Sequence, residues 1–546
     1  MKKVRLLISI FLAVAVLLTA CGKSQPEVVQ GNASATSEPE QQTAYAVWLA
    51  PYLPKAMLAD LDLPSGVIEV NDQNEADIVV DVGADYTVAQ WVYVLVAPFA
   101  TVADGVSLDS LQALWKGTAP QDYPAEKLIL DGSTQAVFEK LWGSAAVNTV
   151  DTVAADDLLS TAWNEEKTWA IIPFEELDPQ WKVIAVDDQS PIQKAFNADA
   201  YGLKVSFSLV GNADVVNPFM AQYGPQSMAP MLPAGNRDAN KLTTVLVTGV
   251  TALVRGTAYL MEQNGMTYPA IDIGDVLRDA DILHISNEIP FTETCPKPFA
   301  NAQNDANLVF CSKPEYIQLL EAVGTDVVEL TGDHFRDWGA DAMLYTINMY
   351  NQRGWQYYGG GTDLADGMRP ALFEHNGNKI AFIGCNAKPP GYATASATSP
   401  GAVHCDMDAM AAVVKQVVAD GYLPIFTFQH LEYYAYTINE NLVEDFEKAA
   451  DAGAVIVSGS QAHQPHALEF YKGATLHYGL GNLFFDQYNE GFPQRQAFMD
   501  RHVFYDGRYI NTELLTIMFT DNARPRFMTA DERADLLQTV FTASGW

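Results

Sequence analysis

The sequence predicts an α/β protein with two folded domains, and three observations support this prediction. Short apolar segments typical of buried strands alternate with segments typical of helices in both halves of the chain. About 500 residues follow the polar N-terminal segment, which is more than one hydrophobic core usually supports. A stretch bearing Pro and Gly, residues 224–240, lies between residues 45–223 and residues 241–546. We therefore expect one α/β domain in each half, joined by a linker.

The first 21 residues carry the marks of a secretory leader. Three basic residues within the first five positions precede an apolar stretch from Leu6 to Leu18. This stretch is shorter than the roughly 20 residues that span a bilayer. Its end, Leu18-Thr19-Ala20-Cys21, resembles a lipobox, so residues 1–21 are expected to end at a lipidated Cys21. The alternative is an uncleaved anchor.

Residues 22–43 are rich in Ser, Gln, Glu, Pro and Ala, and predict a flexible tether. With a lipidated Cys21, the chain is expected to be anchored to a membrane on its extracytoplasmic face. The formal net charge is -35, from 32 Lys plus Arg against 67 Asp plus Glu. This charge argues against nucleic acid and against an anionic membrane surface as partners. An anionic substrate would require a metal ion or a local basic pocket.

Four cysteines remain beyond Cys21, an even number in a compartment expected to be oxidising. Cys295–Cys311 with Cys385–Cys405 is one of three possible connectivities and is the pairing that we expect. Zinc binding is the rival interpretation. However, no two cysteines have the C-x-x-C spacing common in zinc sites.

The first half contains candidate strands and two candidate helices. One helix is predicted between Ser107, which suits an N-cap, and Gly117, which suits the position after the last turn. A second follows Asp131, and its start, Gly132-Ser133-Thr134, suits either an oxyanion site or an ordinary N-cap. The predicted strands are Ala76–Val82, Trp91–Ala97, Leu128–Leu130 and Trp169–Ile172. The segment from Pro98 through Leu108–Gly117 resembles phosphate-type periplasmic solute-binding proteins, which implies a solute-binding-like α/β domain.

The second half contains six apolar segments that predict strands covered on both faces. They are Thr244–Thr248, Ile282–Ile285, Asp326–Leu330, Lys379–Ile383, Pro424–Phe428 and Ala454–Val457. Polar residues follow several of these strands, where open α/β sheets place their sites. Three of them, His334, His430 and His463, are histidines with acidic residues nearby in sequence. His, Asp and Glu together suit a divalent metal ion, which polarises a phosphoryl or carbonyl oxygen and activates water.

The same loops resemble the CapA family of poly-γ-glutamate capsule synthesis proteins. The residues that carry the resemblance are Gly249 and Arg255, Ser286–Pro290, Gly332–His334 with Asp337–Gly339, His430 with Glu432, Ser460–His463 and Gly479–Phe484. The resemblance implies a layered, calcineurin-like metallophosphoesterase fold for residues 241–546. It also implies a role in the synthesis, export or attachment of an anionic capsular polymer, with that polymer or the capsule machinery as partners.

The resemblance implies a metal site whose ligands are Glu288, Asp333, His334, His430 and His463, with His334 and His430 as candidate catalytic residues. Residues with a structural or binding role are expected to be Arg255, Asp337, Glu432 and Asn482.

Two departures from the family pattern leave alternatives open. Val250 stands where the family has a metal-binding Asp, and Gln461 stands where it has a His. We expect at most one divalent ion, of unspecified identity, and a site without metal is the alternative. The protein is accordingly either a metal-dependent hydrolase or a non-catalytic surface lipoprotein that binds a ligand or partner.

Overall fold

The computed structural model describes residues 44–300, 308–391 and 393–546. The predicted leader, Cys21 and the predicted tether lie outside the described residues. Residues Tyr45–Trp546 form one compact unit. Within the described ranges, every helix is too short or too polar to span a bilayer.

The first half is built on a mixed nine-stranded sheet with the order β2-β1-β3-β11-β4-β8-β6-β7, in which β9 also pairs with β4. The strands of the first half are β1 Tyr45–Leu49, β2 Val67–Glu69, β3 Ile78–Val82, β4 Thr87–Pro98, β5 Gly105–Val106, β6 Lys127–Leu130, β7 Val150–Thr152, β8 Thr168–Pro173, β9 Trp181–Val183, β10 Ala185–Val186 and β11 Lys204–Gly211. Of these, β5 and β10 pair with each other outside the nine-stranded sheet. The helices of the first half are α1 Lys55–Leu58, α2 Leu108–Trp115, α3 Gly132–Trp142, α4 Leu158–Asn164 and α5 Ala213–Tyr223.

Helix α2 shows why the local sequence predicts it well. The hydroxyl of Ser107 accepts a hydrogen bond from the Ser110 amide at 3.2 Å, as an N-cap does. Leu111, Leu114 and Trp115 are buried on one helical face. Gly117 follows the last turn with a φ of 70°, a conformation that side chains disfavour.

The predicted linker, residues 224–240, lies against the first sheet. The amide of Gln90 in β4 donates to the Ala234 carbonyl at 2.8 Å. The amide of Val92 donates to Oδ1 of Asn236 at 2.8 Å. This segment therefore packs against β4, an interior strand of the first sheet.

The second half contains two further large sheets and one short two-stranded sheet. One large sheet has the order β16-β15-β14-β12-β26-β27-β28 with β13 and β25 attached, and the other has the order β18-β19-β21-β22-β24-β23. The strands are β12 Leu242–Thr248, β13 Val250–Thr251, β14 Ile282–Asn287, β15 Val327–Glu329, β16 Gln356–Tyr358, β17 Gly360–Gly361, β18 Ala371–His375, β19 Asn378–Asn386, β20 Gly401–Ala402, β21 Leu423–Gln429, β22 Ile456–Ser458, β23 Leu468–Tyr471, β24 Ala474–His477, β25 Asn482–Phe484, β26 Gln496–Tyr505, β27 Arg508–Phe519 and β28 Pro525–Phe527.

The second half also contains helices that pack against these sheets. They are α6 Arg255–Asn264, α7 Gly274–Asp279, α8 Ile317–Val323, α9 Gly339–Asn351, α10 Leu364–Gly367, α11 Met407–Ala419, α12 Glu440–Ala452 and α13 Ala530–Ala543. One apolar cluster joins the two sheets, with Val245 and Ile282 from one and Phe382 and Ile425 from the other. A second apolar cluster joins the sheet that contains β12 to α6–α9. A third joins the sheet that contains β19 to α11 and α12. The second half is thus layered helix–sheet–sheet–helix, which confirms the predicted α/β class.

Both disulfides that we expected are present in the structure. Cys295 bonds Cys311, and Cys385 bonds Cys405. The second bond joins the end of β19 to the segment just before α11. It therefore ties the loop after β19, residues 387–404, at both ends.

Candidate metal centre

The polar loops that follow β14, β15, β21 and β22 converge on one cluster of side chains. Glu288 directly follows β14, and Asp333 and His334 follow β15. Glu432 and His463 come from the loops after β21 and β22. Since β14 and β15 are parallel neighbours, and β21 and β22 are too, each pair delivers its loops to the same sheet edge.

The ligand atoms of these residues form two overlapping groups. Glu288, Asp333 and His334 offer atoms that all lie within 4.8 Å of one another. Glu288, Glu432 and His463 do the same. Glu288 belongs to both groups and lies at the centre of the site. Among the predicted ligands, the structure therefore brings together Glu288, Asp333, His334 and His463.

A close backbone approach makes this convergence possible. A Cβ added to Gly332 would lie 2.7 Å from the Glu288 Cα and carbonyl oxygen. A side chain at position 332 would therefore push the Asp333 loop away from Glu288. The glycine next to Asp333 is required by packing.

Both histidines of the cluster are oriented by a hydrogen bond between Nδ1 and a side-chain oxygen. His334 Nδ1 lies 2.8 Å from the Asp337 carboxylate, and His463 Nδ1 lies 2.9 Å from Oδ1 of Asn482. In each case Nε2 is left for the cluster, and His463 Nε2 lies 3.9 Å from Glu432. An oxygen that holds the far nitrogen is the usual support of a metal-binding histidine. Asp337 and Asn482 thus position the two rings, in line with the structural or binding role expected for them.

Lys388, which sequence reasoning missed, contacts both groups. Its Nζ lies 2.9 Å from Oδ2 of Asp333 and also pairs with the carboxylate of Glu432. Glu432, expected to have a structural or binding role, thus lies beside the candidate ligands. The loop after β19 carries Lys388, and Asn386 at the end of β19 donates from Nδ2 to the Thr331 carbonyl at 2.8 Å. The sequence predicts this strand, and the polar residues that follow it were the available signal for Lys388.

Glu288 is a buried acidic residue with an unpartnered carboxylate oxygen. Its side chain is 1% exposed, and its Oε2 has no hydrogen-bond partner among the described residues. Burial raises the pKa of Glu288 above its usual range, and the negative charges of Asp333 and Glu432 raise it further. The positive charges of His463 and His334 oppose this rise without cancelling it. A buried carboxylate oxygen without a donor is costly unless a cation or a proton compensates it.

The neighbouring groups have shifted pKa values as well. Burial alone would raise the pKa of Asp333 and of Glu432, but Lys388 and the adjacent histidines outweigh it and lower both values. Burial lowers the pKa of His334, but the hydrogen bond to Asp337 and the charges of Glu288 and Asp333 outweigh it. The resulting pKa of His334 is about 9. Without a metal ion, His334 is therefore a cation at neutral pH.

His430, predicted as a ligand and a catalytic residue, is not in either group. Its Nε2 lies 3.1 Å from the carboxylate of Asp445 in α12, and its Nδ1 accepts a hydrogen bond from the Leu431 amide. Both ring nitrogens therefore have partners outside the cluster. Asp445, which lies on a helix remote in sequence, was not identifiable from the motif that contains His430.

Arg255 has a structural contact rather than a place in the cluster. Its guanidinium pairs with Asp486 at 2.6 Å and lies over the rings of Phe310 and Phe485. Burial raises the pKa of Asp486 to about 6, and the positive charge of Arg255 opposes that rise. Of the two roles considered for Arg255, the structure shows the ion pair. Asp486, just after the closing family motif, was missed.

The two departures from the family pattern are both buried. Val250 is fully buried in an apolar group with Ala252, Ile289, Phe310 and Phe485. Gln461 donates from Nε2 to the Ser286 hydroxyl at 2.5 Å, and its Oε1 has no partner among the described residues. Val250 supplies no ligand atom, so the cluster depends on the loops after β14, β15, β21 and β22.

The cluster opens onto a cavity of about 400 Å³. Its lining includes Asp333, His334 and Lys388 from the cluster, together with Asn386 and His404. A cavity of this size admits a small ligand or one unit of a polymer. The cluster is therefore reachable from outside.

The residues present fit a divalent metal ion. The donor set of three carboxylates and two imidazole nitrogens suits Zn²⁺, Mn²⁺ or a related ion. The unpartnered Oε2 of Glu288 and the oriented Nδ1 atoms are the structural observations behind this fit. Glu288, with Asp333 and His334 or with Glu432 and His463, would hold the ion.

Residues 244–487 match the family model of the bacterial capsule synthesis protein PGA_cap. The chain is 23% identical over 266 residues to the capsule biosynthesis protein CapA of Bacillus anthracis, a match covering 48% of this chain and 64% of the relative. The chain thus spans less than two thirds of the length of that relative. These matches confirm the resemblance predicted for the second half.

Two solved structures show weaker likenesses. An ABC-type phosphate transport receptor from Vibrio cholerae aligns with a TM-score of 0.23 at 16% identity, covering 27% of this chain and 74% of that one. The NAD nucleotidase of Haemophilus influenzae aligns with a TM-score of 0.30 at 10% identity, covering 55% of this chain and 56% of that one.

Proposed function

Because residues 244–487 match the family model of the bacterial capsule synthesis protein PGA_cap, we propose that the protein takes part in making an anionic surface polymer such as poly-γ-glutamate. The family match and the capsule protein of Bacillus anthracis support this role. Export or attachment of the polymer belongs to the same proposal, with the polymer or its assembly machinery as partners. The net charge of -35 requires a local cation wherever an anionic polymer is bound.

At the level of chemistry, the second half is a metal-dependent hydrolase of an ester or amide bond in that polymer. The observation that carries this proposal is the buried, unpartnered Oε2 of Glu288 at the junction of two ligand groups. A divalent ion bound there would supply a Lewis acid and an activated water.

The chain's own residues have distinct tasks in this proposal. Asp337 and Asn482 hold the rings of His334 and His463 so that their Nε2 atoms remain available. The cavity beside Asp333 and His334 admits the polymer unit. Lys388 attracts the negative charge of that unit while it pairs with the acidic residues.

A binding module without catalysis is the second candidate, and two observations favour it. Val250 is buried in an apolar group where the family has an acidic ligand. Lys388 already neutralises part of the carboxylate charge without any metal ion. In this alternative the cluster holds an ion or a charged group of a ligand and breaks no bond.

Hydrolysis after metal removal and return separates the two candidates. The full-length protein, purified in detergent and stripped with a chelator, should hydrolyse a phosphodiester or a γ-glutamyl amide only after Mn²⁺ or Zn²⁺ is added. Glu288→Gln should abolish this activity, and Lys313→Met, a control at the partly exposed Lys313–Glu262 pair, should not. If Mn²⁺ binds but neither substrate reacts, the binding module is the correct account.

Membrane attachment through Cys21 is also proposed, from the Leu18-Thr19-Ala20-Cys21 motif. The thiol of Cys21 would carry lipid and hold the folded part of the chain outside the cytoplasm. Cys21→Ser should then move the protein from the membrane fraction to the soluble fraction or block its processing. Incorporation of labelled lipid into the Cys21→Ser variant would show that the anchor lies elsewhere.

A further inference from the structure

Lys388 links the two ligand groups through one carboxylate of each. Asp333 belongs to the group with His334, and Glu432 belongs to the group with His463. The Lys388 ammonium contacts both carboxylates, and its side chain is 19% exposed. It therefore lies where the two groups meet, on the residues that a second metal ion would need.

The position of Lys388 is fixed by its own loop. The Lys388 amide donates to Oδ1 of Asn386 at 2.9 Å, and Nδ2 of Asn386 donates to the Thr331 carbonyl at 2.8 Å. Cys385, at the end of β19, is bonded to Cys405 beyond the loop. These contacts tie the backbone at Lys388 to the loop that carries Asp333.

We propose that Lys388 is a tethered cation that limits this site to a single divalent ion. The inference rests on the proposed function, because it assumes that the cluster binds metal. It adds a role for a residue that belongs to neither ligand group. In this account the ammonium takes the place of the second ion of a two-metal centre.

Charge and geometry both support this role. Glu288, Asp333 and Glu432 bring three negative charges, which one divalent ion and one ammonium balance. One ion can take Asp333 or Glu432 while Lys388 keeps the other carboxylate. Two ions would remove both carboxylates from Lys388 and leave a largely buried ammonium beside two divalent cations, an arrangement that repulsion between like charges opposes.

The test is metal stoichiometry in variants of Lys388. Full-length protein in detergent is stripped with a chelator and titrated with Mn²⁺ at constant pH, and bound metal is then measured by elemental analysis. Wild type and Lys388→Arg, which keeps the charge, should bind one ion per chain. Lys388→Met should bind two, and its first ion should bind about tenfold tighter or more, because a competing cation is gone. Lys313→Met, which removes a partly exposed lysine paired with Glu262, should bind one.

Two readouts separate this inference from the proposed function. The count in wild type tests the metal site, and a count of zero refutes the proposed function. The difference in bound Mn²⁺ per chain, and in the affinity of the first ion, between the neutral Lys388 variants and Lys388→Arg tests the inference. Lys388→Gln serves as a second neutral variant, and far-UV circular dichroism shows which variants fold. If the folded neutral variants bind the same number of ions with the same affinity as Lys388→Arg, or if wild type binds two, Lys388 is not a tethered cation.

Discussion

Asp131 in the first half and Glu288 in the second half are acidic residues that each directly follow a buried parallel strand. Asp131 follows β6, and its carboxylate accepts hydrogen bonds from the Ser133 and Thr134 amides and hydroxyls at the start of α3. Glu288 follows β14, and its Oε2 has no partner among the described residues. One carboxylate completes a helix N-cap, and the other remains available for a cation.

The difference lies in what the next residues of the chain provide. After Asp131 a helix begins at once, so amides and hydroxyls two and three residues ahead satisfy the carboxylate. Burial raises the pKa of Asp131, but these hydrogen bonds outweigh it and lower the pKa below its usual range. After Glu288 comes Ile289-Pro290, which begins no helix, and burial raises the pKa of Glu288. The N-cap also answers the question about Gly132-Ser133-Thr134: the Asp131 carboxylate occupies the amides that an oxyanion would need.

The largest expected effect comes from neutralising the available carboxylate. Glu288→Gln should lower Mn²⁺ or Zn²⁺ affinity by more than about 100-fold, since even supporting residues of metal sites typically contribute 10–100-fold. Asp131→Asn is the matched control and should leave metal affinity unchanged. Isothermal titration calorimetry of both variants measures the difference. If Glu288→Gln and Asp131→Asn bind metal with equal affinity, Glu288 is not a metal ligand and does not differ from Asp131 in this respect.

A pH titration sharpens the same comparison. Coordination needs neutral imidazole, but the pKa of His334 without metal is about 9, so a metal ion must displace its proton at pH 7. Metal affinity should therefore rise about tenfold per pH unit between pH 7 and 9 and level off above that range. The unperturbed histidine pKa of about 6.5, which sequence reasoning would use, places this change too low. Calorimetry in buffers of different ionisation enthalpy counts the released proton, and a flat profile above pH 7 would contradict the assignment of His334.

The same histidine affects the stability of the metal-free protein in the opposite direction. The pKa of His334 is raised on folding, so its pairing with Asp337 stabilises the fold fully below about pH 6.5. That stabilisation is lost as the pH rises through about 9. Metal affinity and the stability of the metal-free fold therefore change in opposite directions between pH 7 and 9.

The smallest expected effect concerns Asp131, whose carboxylate already has hydrogen-bond partners. Asp131→Ala removes the N-cap of α3 and should lower the free energy of unfolding by about 1 kcal/mol. Metal binding should not change, because Asp131 belongs to neither ligand group. Urea unfolding with and without Mn²⁺ measures both quantities. If the variant loses stability only when Mn²⁺ is present, Asp131 has a role that the N-cap does not explain.

Sequence reasoning predicted the fold better than it predicted the site. The predicted strand Lys379–Ile383 lies within β19, because a run of buried apolar residues is visible in the chain itself. Contacts between residues far apart in sequence were harder to predict. His430 meets Asp445 of α12, and Arg255 meets Asp486, and neither acidic residue belongs to the motif of its partner. Lys388 was missed for another reason: lysine is not a usual metal ligand, so its residue type did not indicate a place in a metal site.

Diffraction from crystals grown or soaked with Mn²⁺ tests the central claim most directly, because the anomalous signal locates the ion. The account predicts one peak per chain, bound by Glu288 together with either Asp333 and His334 or Glu432 and His463. Asp131 in the first half should have no peak. An absence of signal at Glu288, or a peak only at other residues, would contradict the claim that these strand-end loops form a metal centre.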